Sequence, residues 1–269
     1  MMVQVGLVGC GTIGSRLALA IVRHYPKEAR VVALHDQNAS AAEKLRKRLP
    51  QHPPILSLRQ LIQRSDLIIE AASAELSGSL AGQTLSAGKS VLVMSVGGLL
   101  MDSSWRRLAK RSKGHVYVPS GALSGLDGVR AMARAGIRRV MLTTKKPPQA
   151  FMSAPYVRQK RLRLAGLKRP KVIFQGSAQA VVRAFPQNTN VAAALTLASG
   201  LPAAKVQVRV VADPRLTRNT HEYTVEGKIG RLQSVIESVP SANPKTSELA
   251  IRSAQACLAR LFETVTIGS

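Results

Sequence analysis

The sequence predicts an α/β fold in its first half, followed by a second, α+β domain built on an open mixed sheet. Short apolar segments alternate with helical segments from Val3 to Val118, which is typical of a parallel sheet covered by helices. After Pro119 the pattern changes, and strand-like segments predominate. A chain of 269 residues is long enough for one or two such domains.

The first half begins with Val3–Val8, a mostly apolar segment typical of a buried parallel strand. Apolar residues at helical spacing follow it, and Ser40 with Glu43 has the spacing of a helix capping box. The predicted strands are Val3–Val8, Arg30–Leu34, Asp66–Glu70, Ser90–Ser95 and His115–Val118, and the predicted helices are Ile13–Val22, Ser40–Leu49, Glu75–Ala87 and Met101–Arg111. This alternation favours a sheet with helices on both faces.

The second half combines more strands with fewer helices. The predicted strands are Ala135–Thr143, Lys171–Gln175, Lys205–Ala212, His221–Glu226 and Arg231–Val239, and the predicted helices are Ser124–Arg134, Asn188–Ser199 and Thr246–Phe262. Short turns join the last three strands, so we expect these strands to pair antiparallel. The closing helix is of a type that often returns to the first domain. We therefore expect one domain from residues 1–119 and 244–269, and another from residues 120–243.

The sequence VGLVGCGTIG, residues 5–14, contains three glycines spaced G-x-G-x-x-G between the first strand and the first helix. The first glycine permits a tight turn, the second lets the backbone approach a pyrophosphate, and the third allows the helix to pack closely on the strand. The start of the helix directs free N–H groups at the phosphates. A glycine-rich turn without a ligand is disfavoured by this strand–turn–helix context. The motif thus predicts a dinucleotide-binding Rossmann domain, with cofactor contacts from Gly9, Gly11, Thr12, Ile13 and Gly14.

Asp36 ends the second predicted strand, about 20 residues beyond the motif, where a carboxylate can accept hydrogen bonds from the ribose hydroxyls. The same carboxylate should repel a 2′-phosphate, and Gln37 and Asn38 after it offer no guanidinium. We therefore predict NAD as the cofactor. NADP is the alternative, since Lys44 or the overall basic charge could tolerate the extra phosphate.

The charge of the chain is unusual, with 39 lysines and arginines against 14 acidic residues and a formal net charge of +25. Such a balance can mark a nucleic-acid or membrane partner, or a preference for anionic ligands. The densest basic clusters, Trp105–Lys113 and Arg158–Arg169, lack the interleaved aromatic residues that single-strand binders use for stacking. We therefore interpret the charge as a solvated basic surface and do not expect nucleic acid as the main partner.

Three further observations concern location and metals. No uninterrupted apolar segment approaches the ~18–20 residues of a membrane span. No basic region precedes the apolar N-terminal stretch, so we expect a cytoplasmic protein without a signal peptide. The two cysteines, Cys10 and Cys257, form neither a disulfide framework nor a metal-site spacing. We interpret both as packing residues and predict no metal.

Beyond Pro119, several stretches combine polar groups with glycines and prolines more densely than a purely structural strand or turn requires. They are PSGALSGLDG, AFPQNTNVAA, RNTHEYTVEG and PSANPKTSELA. The stretches most specific to one family are SGALSGLDG, TTKKPPQAF, FQGSAQAVVRAFPQNTNVAAALTLA, NTHEYTVEG and SVPSANPKTSELA. With these motifs the chain resembles, over nearly its whole length, the L-aspartate dehydrogenases, NAD(P)-dependent enzymes tied to pyridine-nucleotide biosynthesis. The resemblance implies a Rossmann domain, a second domain that provides much of the substrate site, and a homodimer joined through that second domain.

The resemblance also implies roles for individual positions. The histidine of the family's N-x-H-E motif falls on His221, which would be the active-site residue. The alanine of the S-G-A motif falls on Ala122, and the first asparagine of F-P-x-N-x-N falls on Asn188; both would contact the cofactor. Asn190, two residues on, is the alternative to Asn188 and a candidate substrate contact. The chain departs from the family at Tyr223, where an aliphatic residue is expected.

The chemistry of amino-acid oxidation supports this assignment. The substrate amine must lose a proton and the imine must later be hydrated, which requires a group such as histidine that titrates near neutral pH. Taken alone, His221 would more readily be a structural histidine, but Asn219, Glu222 and the family motif favour catalysis. The two carboxylates of aspartate call for convergent cations and donors. By charge and motif position, the candidates are Ser120, Lys145, Arg218, Lys245 and Thr246.

The predicted function is therefore the reversible, NAD(P)-dependent oxidative deamination of L-aspartate to iminoaspartate, and so to oxaloacetate and ammonia. One alternative is a related two-domain dehydrogenase or reductase acting on another small carboxylate, of the homoserine, semialdehyde or dihydrodipicolinate type. Another is a non-catalytic dinucleotide- or nucleic-acid-binding protein. The joint presence of His221, Asn188 and the NPKTS stretch argues against the last of these.

Overall fold

The computed structural model describes residues 2–186, 189–239, 247–265 and 267. The chain divides into two compact units, one comprising Met1–Pro119 and Ile251–Thr266 and the other Ser120–Ala250 and Ile267–Ser269. Within the described ranges, no helix is both long enough and apolar enough to cross a membrane.

The first unit is a parallel sheet with intervening helices, which confirms the predicted α/β Rossmann class. Its strands are β1 (Val3–Val8), β2 (Ala29–His35), β3 (Leu67–Glu70), β4 (Ser90–Val93) and β5 (Val116–Tyr117). Its helices are α1 (Thr12–His24), α2 (Ala39–Arg48), α3 (Leu58–Arg64), α4 (Ala74–Ser86), α5 (Gly98–Met101) and α6 (Trp105–Ala109). The strand order is β2-β1-β3-β4-β5, and every pair is parallel. The order places the turn after β1 and the end of β2 at the same edge of the sheet.

The core of this unit also includes part of the final helix, α11 (Glu248–Phe262). Ala254 and Leu258 of α11 belong to the same buried apolar cluster as Leu7 of β1 and Leu17 of α1. Burial of these side chains removes apolar surface from water at roughly 25 cal/mol per Å², which holds the helix against the sheet.

Two helical segments of the first unit differ from the prediction. Helix α3 was not predicted, although Ser57 and Gln60 form a capping box at its start. The predicted helix Met101–Arg111 is divided into α5 and α6. The Asp102 carboxylate accepts a hydrogen bond from the backbone N–H of Ser104 at 2.9 Å, a local bond that competes with helix continuation.

The second unit is built on an open mixed sheet, as predicted. Its strands are β6 (Ile137–Lys146), β7 (Lys171–Ser177), β8 (Gln207–Ala212), β9 (Asn219–Gly227) and β10 (Gly230–Ser238), and its helices are α7 (Leu126–Ala135), α8 (Pro155–Gln159), α9 (Ala178–Ala184) and α10 (Asn190–Ser199). A short 3₁₀ helix, Pro148–Phe151, follows β6. Side chains from α7, α9 and α10 pack with the inner face of the sheet in one apolar cluster. The face away from these helices is the outer face.

We predicted that β8, β9 and β10 pair antiparallel in the order in which they follow one another, and this prediction was wrong for β8. The strand order is β10-β9-β6-β8-β7, so β6 lies between β8 and β9 and is parallel to β8. The connection from β8 crosses the end of β6, where the Asp213 N–H donates to the Lys146 carbonyl at 2.9 Å. Two strands joined by a short connection are neighbours only when no other strand is inserted between them. The insertion of β6 depends on pairing between segments far apart in sequence, which local sequence does not encode.

Candidate active site

The glycine turn between β1 and α1 has the shape that a pyrophosphate site requires. Gly9 has φ +94°, and a Cβ there would lie 2.5 Å from the Ala71 backbone. A Cβ on Gly14 would lie 1.9 Å from the Gly9 carbonyl oxygen, so packing requires glycine at both positions. A Cβ on Gly11 would meet nothing within 4 Å. Gly11 therefore leaves exposed backbone open to a ligand at the start of α1.

Asp36 lies beside this turn at the end of β2. Its Oδ2 accepts the Cys10 N–H at 2.6 Å, and its Oδ1 accepts the Asn38 N–H at 2.7 Å. A carboxylate offers about four lone-pair sites, so two remain for ribose hydroxyls after these backbone bonds. The side chain is half-buried, which leaves those sites accessible. Asp36 thus orders the glycine turn and keeps acceptor capacity toward the position of a ribose.

Glu70, which the sequence reasoning did not single out, supports the same turn from β3. It is fully buried, and its two oxygens accept the backbone N–H groups of Ala72 at 2.8 Å and Ser95 at 2.9 Å. Burial raises the pKa of the Glu70 carboxyl. Since the backbone of Ala71 and Ala72 packs against Gly9, Glu70 is a positioning residue for the glycine turn. The sequence signal that could have identified Glu70 is the single carboxylate that ends the apolar segment DLIIE.

These features fit a dinucleotide. The open backbone at Gly11 accommodates a pyrophosphate next to the first N–H groups of α1, and the unused acceptor sites of Asp36 suit the adenosine ribose. Thr12 is exposed and Ile13 half-buried at the same helix start.

His221 lies in β9, in the middle of the second sheet. It is only 2 % exposed, and it faces the same side as Tyr223 and Val225, which pack in the apolar cluster of the inner face. Its partner across the strand pair is Thr144 of β6, whose Oγ1 lies 3.2 Å from His221 Nδ1. A hydroxyl can accept from Nδ1–H, and that tautomer leaves the lone pair of Nε2 to act as a base.

The His221 ring is neutral in this environment. Burial, reinforced by the positive charge of Lys146, lowers its pKa to about 3. A neutral imidazole can accept a proton from a substrate, but it has no extra proton to donate at neutral pH.

The second unit should therefore lose stability in acid through His221. The unfolded ring binds a proton near pH 6.5, whereas the folded ring stays neutral down to about pH 3. Stability from this group is complete above pH 6.5 and falls below it by up to about 1.4 kcal/mol per pH unit. Urea titrations between pH 7 and pH 4 should show a steeper loss for the wild type than for His221→Asn, and identical slopes would contradict the assignment.

The hydrogen bond between His221 Nδ1 and Thr144 Oγ1 should contribute to turnover. Thr144→Val keeps the shape of the side chain but removes the hydroxyl that orients the ring, so we expect kcat to fall roughly 3- to 10-fold, the value of one ordinary hydrogen bond. Thr143→Val is the matched control, because Thr143 pairs with Glu222 and faces the other side of β6. An equal fall in both variants would argue against a specific role of Thr144.

The structure separates the two lysines at the end of β6. Lys145, the sequence candidate for a substrate carboxylate, is on the outer face of the sheet and forms an ion pair with Glu222. Lys146 is 5 % exposed and lies on the inner face with Thr144 and His221. The lysine beside His221 is therefore Lys146, because side chains alternate along a strand. The sequence candidate Lys145 therefore lies on the face of β6 away from His221.

The other candidates are distributed over the second unit. Ser120 is half-buried in the loop before α7, and the Ala122 methyl group packs in the apolar cluster. Asn190 begins α10 and is exposed, and Arg218 is exposed just before β9. Asn188, Lys245 and Thr246 lie outside the described residues. The structure thus brings Thr144, Lys146 and His221 together, and the roles of His221 and of the other candidates stay predictions.

Tyr223, at the position where the chain departs from the family it resembles, has a structural role. The ring is buried, and its hydroxyl donates a hydrogen bond to the Ser124 carbonyl. This bond ties β9 to the loop that carries Ser120 and Ala122. The departure therefore adds a link between two predicted parts of the site and removes no group that the chemistry needs.

Comparison with known proteins agrees with this arrangement. The profile described as "Aspartate dehydrogenase, C-terminal" matches residues 127–261, and that described as "Homoserine dehydrogenase, NAD binding domain" matches residues 9–119. An L-aspartate dehydrogenase of Methanosarcina mazei is 41% identical over 274 residues, with 100% of both chains covered. L-aspartate dehydrogenase 3 of Bordetella bronchiseptica is 37% identical, covering 98% of this chain and 97% of its own.

A solved structure gives the same result at the level of the fold. The aspartate dehydrogenase of Thermotoga maritima superposes with a TM-score of 0.76 at 25% identity, and 100% of each chain is covered. The resemblance inferred from the motifs is confirmed by these matches, which extend over the full length of the chain. The chain belongs to the L-aspartate dehydrogenase family.

Proposed function

We propose that this chain is an NAD(P)-dependent L-aspartate dehydrogenase. In the oxidative direction, L-aspartate, NAD⁺ and water give oxaloacetate, ammonium, NADH and a proton, by way of iminoaspartate. The observation that carries the proposal is His221, a buried and neutral histidine in the N-T-H-E stretch of a chain of this family. Its ring is oriented by a hydrogen bond to Thr144 of β6. The first unit supplies the dinucleotide-binding turn, and the second supplies the acid–base group.

The cofactor is a nicotinamide dinucleotide, and we propose NAD as the preferred one. Gly9, Gly11 and Gly14 with the start of α1 would hold the pyrophosphate, and Asp36 would accept from the ribose hydroxyls. When bound, the nicotinamide accepts the hydride that leaves the substrate Cα. The Asp36 carboxylate favours NAD because a 2′-phosphate would place negative charge against it.

His221 and Thr144 perform the proton chemistry. The neutral ring accepts a proton on Nε2 from the substrate ammonium group, which frees the nitrogen lone pair needed for hydride loss. Its Nδ1–H donates to Thr144 Oγ1 throughout, so the ring keeps its orientation. The same ring then serves the addition of water to the imine carbon and the release of ammonia. In the reverse direction, the ring gives the proton on Nε2 back to the substrate nitrogen.

One assay tests the function directly. Purified protein should oxidise NADH when oxaloacetate and ammonium are both present, and omission of either should abolish the rate. The assay repeated with NADPH measures the cofactor preference. Faster turnover with another small oxoacid or a semialdehyde would favour a related dehydrogenase over the aspartate enzyme.

We also propose a homodimer, formed through the outer face and edges of the second sheet. Val172 and Val235 are exposed there by 51% and 67%, and Ile229 is 65% exposed at the turn before β10. A second copy of the chain that covers this face would remove these side chains from water. Sedimentation equilibrium should give twice the chain mass of 28.8 kDa, and Val235→Asp should shift it toward the monomer.

We further propose that the enzyme acts in the cytoplasm and supplies pyridine-nucleotide biosynthesis with iminoaspartate. Both cysteines, Cys10 and Cys257, are free thiols, which suits a reducing compartment. Burial, with a contribution from Asp36, raises the pKa of the Cys10 thiol to about 12, so this group is a packing residue and not a nucleophile. Fractionation of host cells should place the activity with the cytoplasmic enzymes.

A further inference from the structure

We propose that Lys146, Asn219 and Ser238 form the site that binds one carboxylate of the substrate next to His221. This inference rests on the proposed function, because it names the residues that recognise the dicarboxylate. The three side chains offer an ammonium, an amide NH₂ and a hydroxyl, all of which can donate to carboxylate oxygens.

The sheet register places these residues in one row. Lys146 pairs with Ala212 of β8, Ser238 of β10 pairs with Asn219 of β9, and the β6–β9 register that joins Lys145 to Thr220 sets Lys146 beside Asn219. All three are nearly inaccessible, with exposures of 5 %, 3 % and 4 %. The row of Thr144 and His221 lies two residues away, about 7 Å along the strands. A carboxylate held by the first row therefore lies against the imidazole.

Two observations indicate that this row is built for a ligand. The hydroxyl oxygen of Ser238 is buried and has no hydrogen-bond partner within the described ranges. A buried hydroxyl without a partner costs about 1–3 kcal/mol and needs an explanation. Lys146 places a positive charge on the buried inner face of the sheet, where burial lowers its pKa to about 8. A bound carboxylate would give the Ser238 hydroxyl an acceptor and would lie beside the Lys146 ammonium.

Two carboxylates of the described strands and turns, Asp213 and Glu222, pair with other cations. Asp213, which follows β8, directs both oxygens to Arg215. Glu222 forms its ion pair with Lys145 on the outer face. A substrate carboxylate that enters the row of Lys146, Asn219 and Ser238 would therefore meet donors and neither of these two carboxylates.

Binding at this row also changes His221. The charge of Lys146 is one of the two causes that keep the pKa of the ring near 3, and the other is burial. The side chains near His221 on the inner face of the sheet are Thr144 and Lys146 from β6, Val210 and Ala212 from β8, and Ile236 and Ser238 from β10. Among these side chains, Lys146 is the charged one. A bound carboxylate would offset that charge and raise the pKa of the ring toward neutral pH, where a general base works best.

The test compares two lysine variants that differ by one position. Lys146→Met keeps the apolar stem and removes the charge, so KM for oxaloacetate should rise roughly 10- to 100-fold, while KM for NADH stays unchanged. Lys145→Met makes the same chemical change on the outer face and should leave KM for oxaloacetate within about twofold. Lys146→Arg, which keeps the charge, should recover part of the loss. Lys171→Met, an exposed lysine of β7, controls for the reduced net charge.

A second readout does not depend on turnover. Succinate, a dicarboxylate without a reacting centre, should raise the melting temperature of the wild type and of Lys145→Met but not that of Lys146→Met. Ser238→Ala, a small change that should preserve folding, is expected to raise KM for oxaloacetate roughly 3- to 10-fold. This variant keeps the proposal testable if Lys146→Met does not fold.

The possible results distinguish a failure of the proposed function from a failure of the proposed carboxylate site. An inactive wild type that is still stabilised by succinate through Lys146 would overturn the proposed function and support the carboxylate site. An active wild type whose KM and succinate response are unchanged in both Lys146→Met and Ser238→Ala would overturn the carboxylate site alone. A rise in KM for Lys145→Met in place of Lys146→Met would also overturn it.

Discussion

Replacing His221 with asparagine should lower kcat for L-aspartate by roughly 10²- to 10⁴-fold, the usual loss for a general acid–base group. The asparagine amide can still reach a neighbouring hydroxyl such as that of Thr144, but it cannot take a proton from the substrate ammonium group. The dissociation constant for NADH should hardly change, because His221 lies in β9 of the second unit while the glycine turn and Asp36 belong to the first. Steady-state rates and NADH fluorescence titrations measure the two quantities separately.

The control for this prediction is His115→Asn. His115 is an exposed histidine of the first unit, so the same change there should leave both constants within about twofold. If His221→Asn retained kcat within a factor of a few, another group would have to move the protons. If it lost NADH binding as well, the effect would be structural and the catalytic assignment would fail.

The parts of the site that could be predicted from sequence are those with local signals. Gly9, Gly11 and Gly14 owe their roles to a turn of six residues, and the structure shows why the first and third must be glycine. Asp36 follows from the position where a second parallel strand ends. The predicted role of His221 came from a short family motif, and its burial beside Thr144 is consistent with that predicted role.

The parts that were missed depend on contacts between distant segments. Which lysine of β6 faces His221 depends on the register of β6 against β9, 77 residues away in sequence. The alternation was partly readable, because Val140 and Leu142 are buried and set Thr144 and Lys146 on the same side. The insertion of β6 between β8 and β9 has no local signal, since sheet order is decided by which strands pair over long distances.

The prediction with the second-largest expected effect concerns Asp36 and the choice of cofactor. Asp36→Ala removes a charged acceptor of the ribose hydroxyls, so the dissociation constant for NADH should rise roughly 10- to 100-fold. The same change removes the negative charge that opposes a 2′-phosphate, and the many basic residues of the chain favour an additional phosphate. Binding of NADPH should therefore weaken less than binding of NADH, or improve.

The ratio of the two dissociation constants, and not either value alone, tests the role of Asp36. Its carboxylate also accepts the backbone N–H of Cys10, so its loss will loosen the glycine turn. That damage affects both cofactors alike, since they share the pyrophosphate and the nicotinamide, and it cancels in the ratio. Asp66→Ala removes a comparable bond, from the Gln4 N–H at 3.0 Å, at the start of β3 and should leave the ratio unchanged. A preference for NADH that survives intact in Asp36→Ala would show that discrimination against the 2′-phosphate lies in another residue.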